Sequence, residues 1–158
     1  MIEEKIREMI EAERRVFPCR SNRASSLGHP CTRFLVYCRV NWQDRKLPDT
    51  TLQYIFGFGS VIEDMALARL KKAGFKVTQQ QRDFEDAAHE ITGHIDGFIA
   101  VDGGRFPLEI KSMSAHIWPR INEVADMVNS PHPWVRGYPS QLNLYCYLSD
   151  KEKGVFTW

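Results

Sequence analysis

The chain has 158 residues, of which 43% are hydrophobic and 26% charged, and its net charge is +1. That length suits one domain able to bury its own core without disulfides, and that charge gives no whole-molecule field to announce a polyanionic partner. No apolar run approaches the length of a membrane span, and the amino-terminal MIEEKIREMIEAERR lacks the apolar core of a signal peptide, so the expectation is a cytoplasmic protein with no membrane partner.

Ile2, Ile6, Met9 and Val16 recur at helical spacing with charges between them, which predicts an amphipathic first helix lying on the rest of the molecule. Pro18 and the Ser/Asn-rich stretch to Gly28 break it, and Pro30 to Val40 reads as a second helix. Charge is unevenly spread. Between Arg14 and Lys46 stand eight basic residues against one acid, Asp44, a local +7 that leaves the remaining chain at −6. Such a segment, Arg33 included, either holds a phosphate backbone or forms a solvated basic face. From about Thr51 to Ala73, the residues Ile55, Phe58, Ile62, Ala66 and Leu70 make the stripe of a long helix that Gly74 ends as a C-cap. Phe75 to Arg82 reads as a strand, with Phe75 and Val77 pointing alike.

Thr92 to Ser112, TGHIDGFIAVDGGRFPLEIKS, reads as a β-hairpin. In its first arm Ile91, Gly93, Ile95, Gly97 and Ile99 alternate with Thr92, His94, Asp96 and Phe98, and Asp102-Gly103-Gly104 supplies the turn. In the returning arm Leu108 and Ile110 point one way and Glu109 and Lys111 the other, so Asp96, with His94 on its face, looks across the sheet at Glu109 and Lys111. Two carboxylates that close repel unless a cation sits between them, and hard oxygen ligands suit Mg²⁺ or Mn²⁺. A lysine beside them could orient or deprotonate a water that the metal activates, which is the chemistry of phosphodiester hydrolysis. On spacing alone, a surface ion-pair ladder accounts for the same three residues equally well.

Beyond the hairpin, Ser114 is placed to cap a helix carrying Ile117, Ile121, Val124 and Val128. Asn129 to Tyr138, NSPHPWVRGY, is a loop punctuated by proline and glycine, from which Trp134 could meet a splayed base and Arg136 a phosphate. Pro139 then opens a helix on which Gln141 and Tyr145, four apart, share a face, and a last strand begins at Val155.

Gly93-His94-Ile95-Asp96, then Glu109-Ile110-Lys111, then Gln141-Leu142-Asn143-Leu144-Tyr145 resemble the ordered motif set of the PD-(D/E)XK nuclease superfamily in its RecB-like branch, related to the CRISPR-adaptation and RecB/AddB-type exonuclease domains. The resemblance runs from about Ser25 to the last residue. It implies an α/β fold with a restriction-endonuclease-like core, a mixed central β-sheet flanked by helices. The chain is then a single domain, with residues 1–46 as a helical, basic part and residues 51–158 as the core. By the same resemblance Asp96 and Glu109 are metal ligands, the Ile110 carbonyl is a further ligand, Lys111 is the catalytic lysine, and Gln141 and Tyr145 form the accessory motif beside the site. Glu63 matches the helix-borne acid or histidine that reaches the metal, with Asp64 as second choice, and His94, Arg33, Trp134 and Arg136 are candidate DNA contacts. In some relatives a cysteine near the position of Cys31 begins an iron-sulfur cluster that three cysteines after the Gln/Tyr helix complete. Only Cys19, Cys31, Cys38 and Cys146 are present, with no C-x-x-C pair, so no cluster is expected unless a carboxyl-terminal extension supplies the rest. Cys31 and Cys38, a heptad apart, are read instead as small buried apolar groups on one helix face.

The expected function is therefore a DNA nuclease dependent on Mg²⁺ or Mn²⁺, of exonuclease type, acting on DNA ends or single strands. Two alternatives remain: a nucleic-acid-binding module that kept the fold and lost the chemistry, and an iron-sulfur RecB-type nuclease without its carboxyl-terminal cysteines.

Overall fold

The computed structural model describes residues 1–157. The chain begins with α1 (Ile2–Glu13), the short strand β1 (Asn22–Arg23) and α2 (Thr32–Val40). The long helix α3 (Thr50–Lys72) starts where the Asp49 carboxylate accepts from the Leu52 amide at 2.8 Å. It stops where Gly74 takes a φ of 91°, open to glycine, which lets the Phe75 amide reach the Leu70 carbonyl at 3.0 Å. Five strands follow: β2 (Lys76–Thr78), β3 (Arg82–Asp86), β4 (Ile91–Ile95), β5 (Gly97–Val101) and β6 (Gly104–Ile110). The chain then runs through α4 (Val124–Val128) and α5 (Pro133–Leu148) to β7 (Val155–Thr157).

The fold is α/β, with mixed sheets flanked by helices. The strands fall into two sheets rather than one, in the orders β1-β4-β3 and β2-β5-β6-β7. The division comes at Asp96, where the chain bends between β4 and β5, so the first arm of the expected hairpin belongs half to each sheet. The remaining hairpin, β5 against β6, is as the sequence predicts. Asp102 and Gly103 take φ values of 50° and 75°, the pair of positive angles that a two-residue turn with the twist of the strands requires. β6 pairs with β7 in parallel after the α5 crossover.

The core has three parts. Leu67 of α3 packs on Ile99, Leu108 and Ile110 on one face of the larger sheet. Tyr145 of α5 packs on Ala24, Phe84, Ile95 and Phe98. Ile121, Met127 and Val135 close the end near α4. Since Ile95 and Phe98 join one cluster and Ile99 the other, the bend at Asp96 shifts the in-out alternation that the sequence extends unbroken from Ile91 to Ile99.

Several local expectations change. α1 ends at Glu13, before Val16, and none of its residues is buried; it is tied down by Thr50 Oγ1 donating to Glu11 at 3.2 Å and by Arg14 donating to the Pro48 carbonyl at 3.0 Å. Ile55 and Phe58 of α3 stay exposed, and only Leu67 of that helix is buried. Phe75 to Arg82 is not one strand: Gln79 and Gln81, both at positive φ, turn the chain from β2 into β3. The helix expected after Ser114 is replaced by a 3₁₀ turn at Trp118–Arg120 and the five-residue α4, because Pro119 cannot continue an α-helical ladder. The stretch expected as a loop to Tyr138 is helical from Pro133, whose fixed φ suits the first position, and Pro139 therefore lies inside α5. Cys31 is exposed before α2 and Cys38 half-buried, so the two are not a buried pair. No helix among the described residues is long and apolar enough to cross a membrane.

Gly93 is a point of close approach between the strands and α5. A Cβ there would meet the Ala24 Cβ and a Tyr145 ring carbon, each at 2.8 Å. Gly93→Ala is expected to lower the urea unfolding free energy by about 1–3 kcal/mol through overpacking. Gly57→Ala, in the interior of α3 with nothing within 4 Å of the new Cβ, is expected to raise it, by up to about 1 kcal/mol.

Candidate active site

The amino-terminal parts of α3 and α5 wall a cleft of about 990 Å³. Glu63 of α3, Asp96 at the chain bend, and Ile110 and Lys111 at the end of β6 line it. Glu109, one residue back on β6, is 1% exposed and lies on the face opposite Leu108 and Ile110, as the alternation predicts. Its Oε1 accepts from the Lys111 ammonium, while its Oε2 is buried with no hydrogen-bond partner. Asp96 is fixed by the Ile110 amide, which donates to its Oδ2 at 2.6 Å. That one bond ties the bend between the two sheets to the strand that carries Glu109 and Lys111.

All three carboxyls hold protons more tightly than usual. Burial pushes Glu109 up to about 7, against the pull of Lys111 and with added repulsion from Asp96 and Glu63. Burial also raises Asp96, opposed by the Ile110 amide and by Lys111. Glu63 is raised by burial and by the charge of Asp96, and lowered by the Gln81 amide, which donates to its Oε1 at 2.5 Å. The sequence-predicted set Glu63, Asp96, Glu109 and Lys111 is thus brought to one place. Asp64, the second choice, is exposed and outside the cleft lining.

Gln141 and Tyr145 stand elsewhere. Both are buried on α5, and Tyr145, pushed up to about 12 by burial and by interactions that include Glu109 and Asp96, keeps its proton and donates it to the His94 carbonyl at 2.7 Å. Gln141 donates to that hydroxyl at 3.4 Å. The pair holds β4 just before Asp96 and faces a second, smaller cleft. His94 does not share a face with Asp96: the bend turns it outward, where it is exposed and paired with Asp83. Arg33 of α2 is exposed, packs on Tyr37 and does not line the acid cleft. Arg136 is spent on the Ser130 carbonyl at 2.7 Å. Trp134 does line the acid cleft, 57% exposed.

Two neighbours were not legible in the sequence. Tyr138 stands at the cleft with the Lys111 ammonium 5.2 Å from its ring centroid, and it was hidden in a stretch read as loop. Gln81 reaches Glu63 from a turn whose positive φ no residue type there announces.

The donor set fits a hard divalent cation. Three carboxyls share one neighbourhood, Asp96 and Glu109 buried and Glu63 half-buried, and one oxygen of Glu109 has no protein partner, a costly arrangement unless a cation or proton satisfies it. As placed, no three His, Cys, Asp or Glu side chains among the described residues already enclose an ion-sized point, since Glu109 is turned to Lys111 and Glu63 to Gln81.

No protein-family model matches the sequence, and no curated protein matches it. Among solved structures, the fold is similar to that in the crystal structure of SSO0001, with a TM-score of 0.53 over 99% of this chain and 71% of that one, at 18% identity. The likeness is one of fold.

Because the Glu109 carboxyl in the folded protein is raised above its usual 4.5, its contribution to stability is fully present below that value and is lost as pH rises through about 7. In the metal-free protein Glu109→Gln removes that loss. The variant is expected to be more stable than the wild type at pH 8, by about 3 kcal/mol, with most of the gain gone at pH 5. Urea unfolding at the two pH values in EDTA checks this; a difference independent of pH would contradict it.

Proposed function

We propose that the chain is a metal-dependent DNA nuclease of the PD-(D/E)XK type, RecB-like branch, that hydrolyses phosphodiester bonds. The observation that carries this is the gathering of Glu63, Asp96 and Glu109, all raised in proton affinity, beside one lysine on an open cleft. Buried like charges weaken a fold, and such clusters mark sites that bind cations or move protons. The order of the motif residues along the chain adds support, since Asp96, Glu109, Lys111, Gln141 and Tyr145 occur as in that superfamily.

Glu63, Asp96, Glu109 and the Ile110 carbonyl would hold Mg²⁺ or Mn²⁺, which when bound supplies Lewis-acid polarisation of a phosphate oxygen and an acidified water. Lys111, fixed by Glu109 and the Tyr138 ring, orients the attacking water and meets the charge that develops on phosphate. Gln141 and Tyr145 position β4, and with it Asp96, through the His94 carbonyl. Phe56, Phe58, Trp134 and Tyr138 on the cleft walls offer stacking faces to unpaired bases, which favours DNA ends or single strands as substrate. A cytoplasmic setting, in which the exposed Cys31 stays a thiol, agrees with this chemistry.

The test is cleavage of end-labelled linear DNA and closed circular DNA, single- and double-stranded, in Mg²⁺, Mn²⁺ or EDTA. Loss of the linear single strand is expected only with metal, and Lys111→Ala is expected to slow it by about 100-fold or more. Asp96→Ala is expected to abolish it. Binding without cleavage under every condition would replace the nuclease with a binding module on the same fold.

A further inference from the structure

Tyr145 lines a polar cleft of about 430 Å³, separate from the acid cleft, that binds nothing in the nuclease chemistry above. Arg20, Arg23 and Ser25 line it together with Gln141 and Tyr145, and no acidic residue does. Neither arginine makes an ion pair among the described residues, and both are exposed. Two unpaired guanidiniums beside the Ser25 hydroxyl and the Gln141 amide form a donor set matched to a phosphate.

The segment that carries these arginines is held in place. β1 runs parallel to β4, with the Asn22 amide on the Glu90 carbonyl at 2.6 Å and the Ala24 amide on the Thr92 carbonyl at 2.8 Å. The Ser21 and Thr92 hydroxyls share a hydrogen bond of 2.5 Å. Arg39 of α2 clamps it from outside, donating to the Arg20 carbonyl at 2.9 Å and to Glu90 at 2.9 Å. Arg39 is thereby consumed in structure, and Arg20 and Arg23 are left free for a ligand.

We propose that this cleft binds a backbone phosphate of the same nucleic-acid strand that enters the acid cleft, an inference that rests on the nucleic-acid reading above. Tyr145 joins the two places. Its ring lines the basic cleft, while Asp96 and Glu109 lie close enough to act on its hydroxyl. His94, which lines the basic cleft, precedes Asp96 by two residues, at most about 7 Å of chain. A strand with one phosphate on Arg20 and Arg23 therefore reaches the acids within a few nucleotides, and the cleft sets its register.

The test is fluorescence anisotropy of a labelled oligothymidylate in EDTA, where nothing is cut, over a series of salt concentrations. The wild type is compared with the double variant Arg20→Ala/Arg23→Ala, with Arg20→Lys/Arg23→Lys, and with Arg69→Ala on the last turn of α3. The alanine pair is expected to bind more weakly and to reduce the slope of log affinity against log salt by about 0.7 for each phosphate no longer neutralised. The lysine pair, which keeps the charge, is expected to retain most of the slope, and Arg69→Ala all of it. An alanine pair that is folded by circular dichroism and binds with the wild-type slope overturns the proposal, as does a wild type that binds no oligonucleotide at any salt. If the wild type cuts DNA but the slope is unchanged, the basic cleft falls and the nuclease stands. If nothing is cut but the slope depends on the two arginines, the nuclease falls and the cleft stands.

Discussion

A carboxylate held almost wholly out of water, Glu109, is the constraint around which the rest of the molecule is arranged. Its strand, β6, is covered on both faces and paired on both edges, so the side chain cannot swing into solvent. Lys111 satisfies one oxygen, and the other is left without a partner. A fold selected for stability alone would place an apolar side chain there, as Leu108 and Ile110 show on the opposite face of the same strand. The cost of the buried acid is offset only when a proton or a cation arrives, and that ties the stability of this part of the sheet to the chemistry of the site.

The second constraint is the bend at Asp96. It divides the strands into two sheets, turns His94 outward and Asp96 inward, and is braced on both sides. The Ile110 amide holds the Asp96 carboxylate, and the Tyr145 hydroxyl holds the carbonyl two residues before it. Gly93 is required because Tyr145 and Ala24 press against its Cα from that side. A glycine, a tyrosine on a distant helix and an aspartate thus serve one geometric purpose. Gln141 and Tyr145 are in this way tied to the strand before Asp96 although they do not line the acid cleft.

Much of the site was legible because it lies on a strand whose alternation is strict. Glu109 and Lys111 against Leu108 and Ile110 followed from period-two spacing, and the Asp102-Gly103 turn from residue types that accept positive φ. The end of the long helix carrying Glu63 could be read from Gly74. The face of His94 was misjudged because alternation assumes an unbroken strand, and nothing local in Ile95-Asp96-Gly97 announces a bend stabilised by residues far along the chain. The carboxyl-terminal half was harder for a different reason. Pro133, Gly137 and Pro139 are loop-forming residues by propensity, yet packing of Val135 on Met127 and Ile121 carries the helix through them. Tyr138 reached the cleft only as a consequence of that helix.

Calorimetric titration of Mn²⁺ into the metal-free protein near pH 7, in two buffers of different ionisation enthalpy, tests the central claim most directly. Three raised carboxyls predict saturable binding accompanied by proton release, seen as a heat that differs between the buffers, and its loss in Asp96→Asn. Binding with no proton release, or binding of the same strength in Asp96→Asn, would show that the acid cluster is not the metal site.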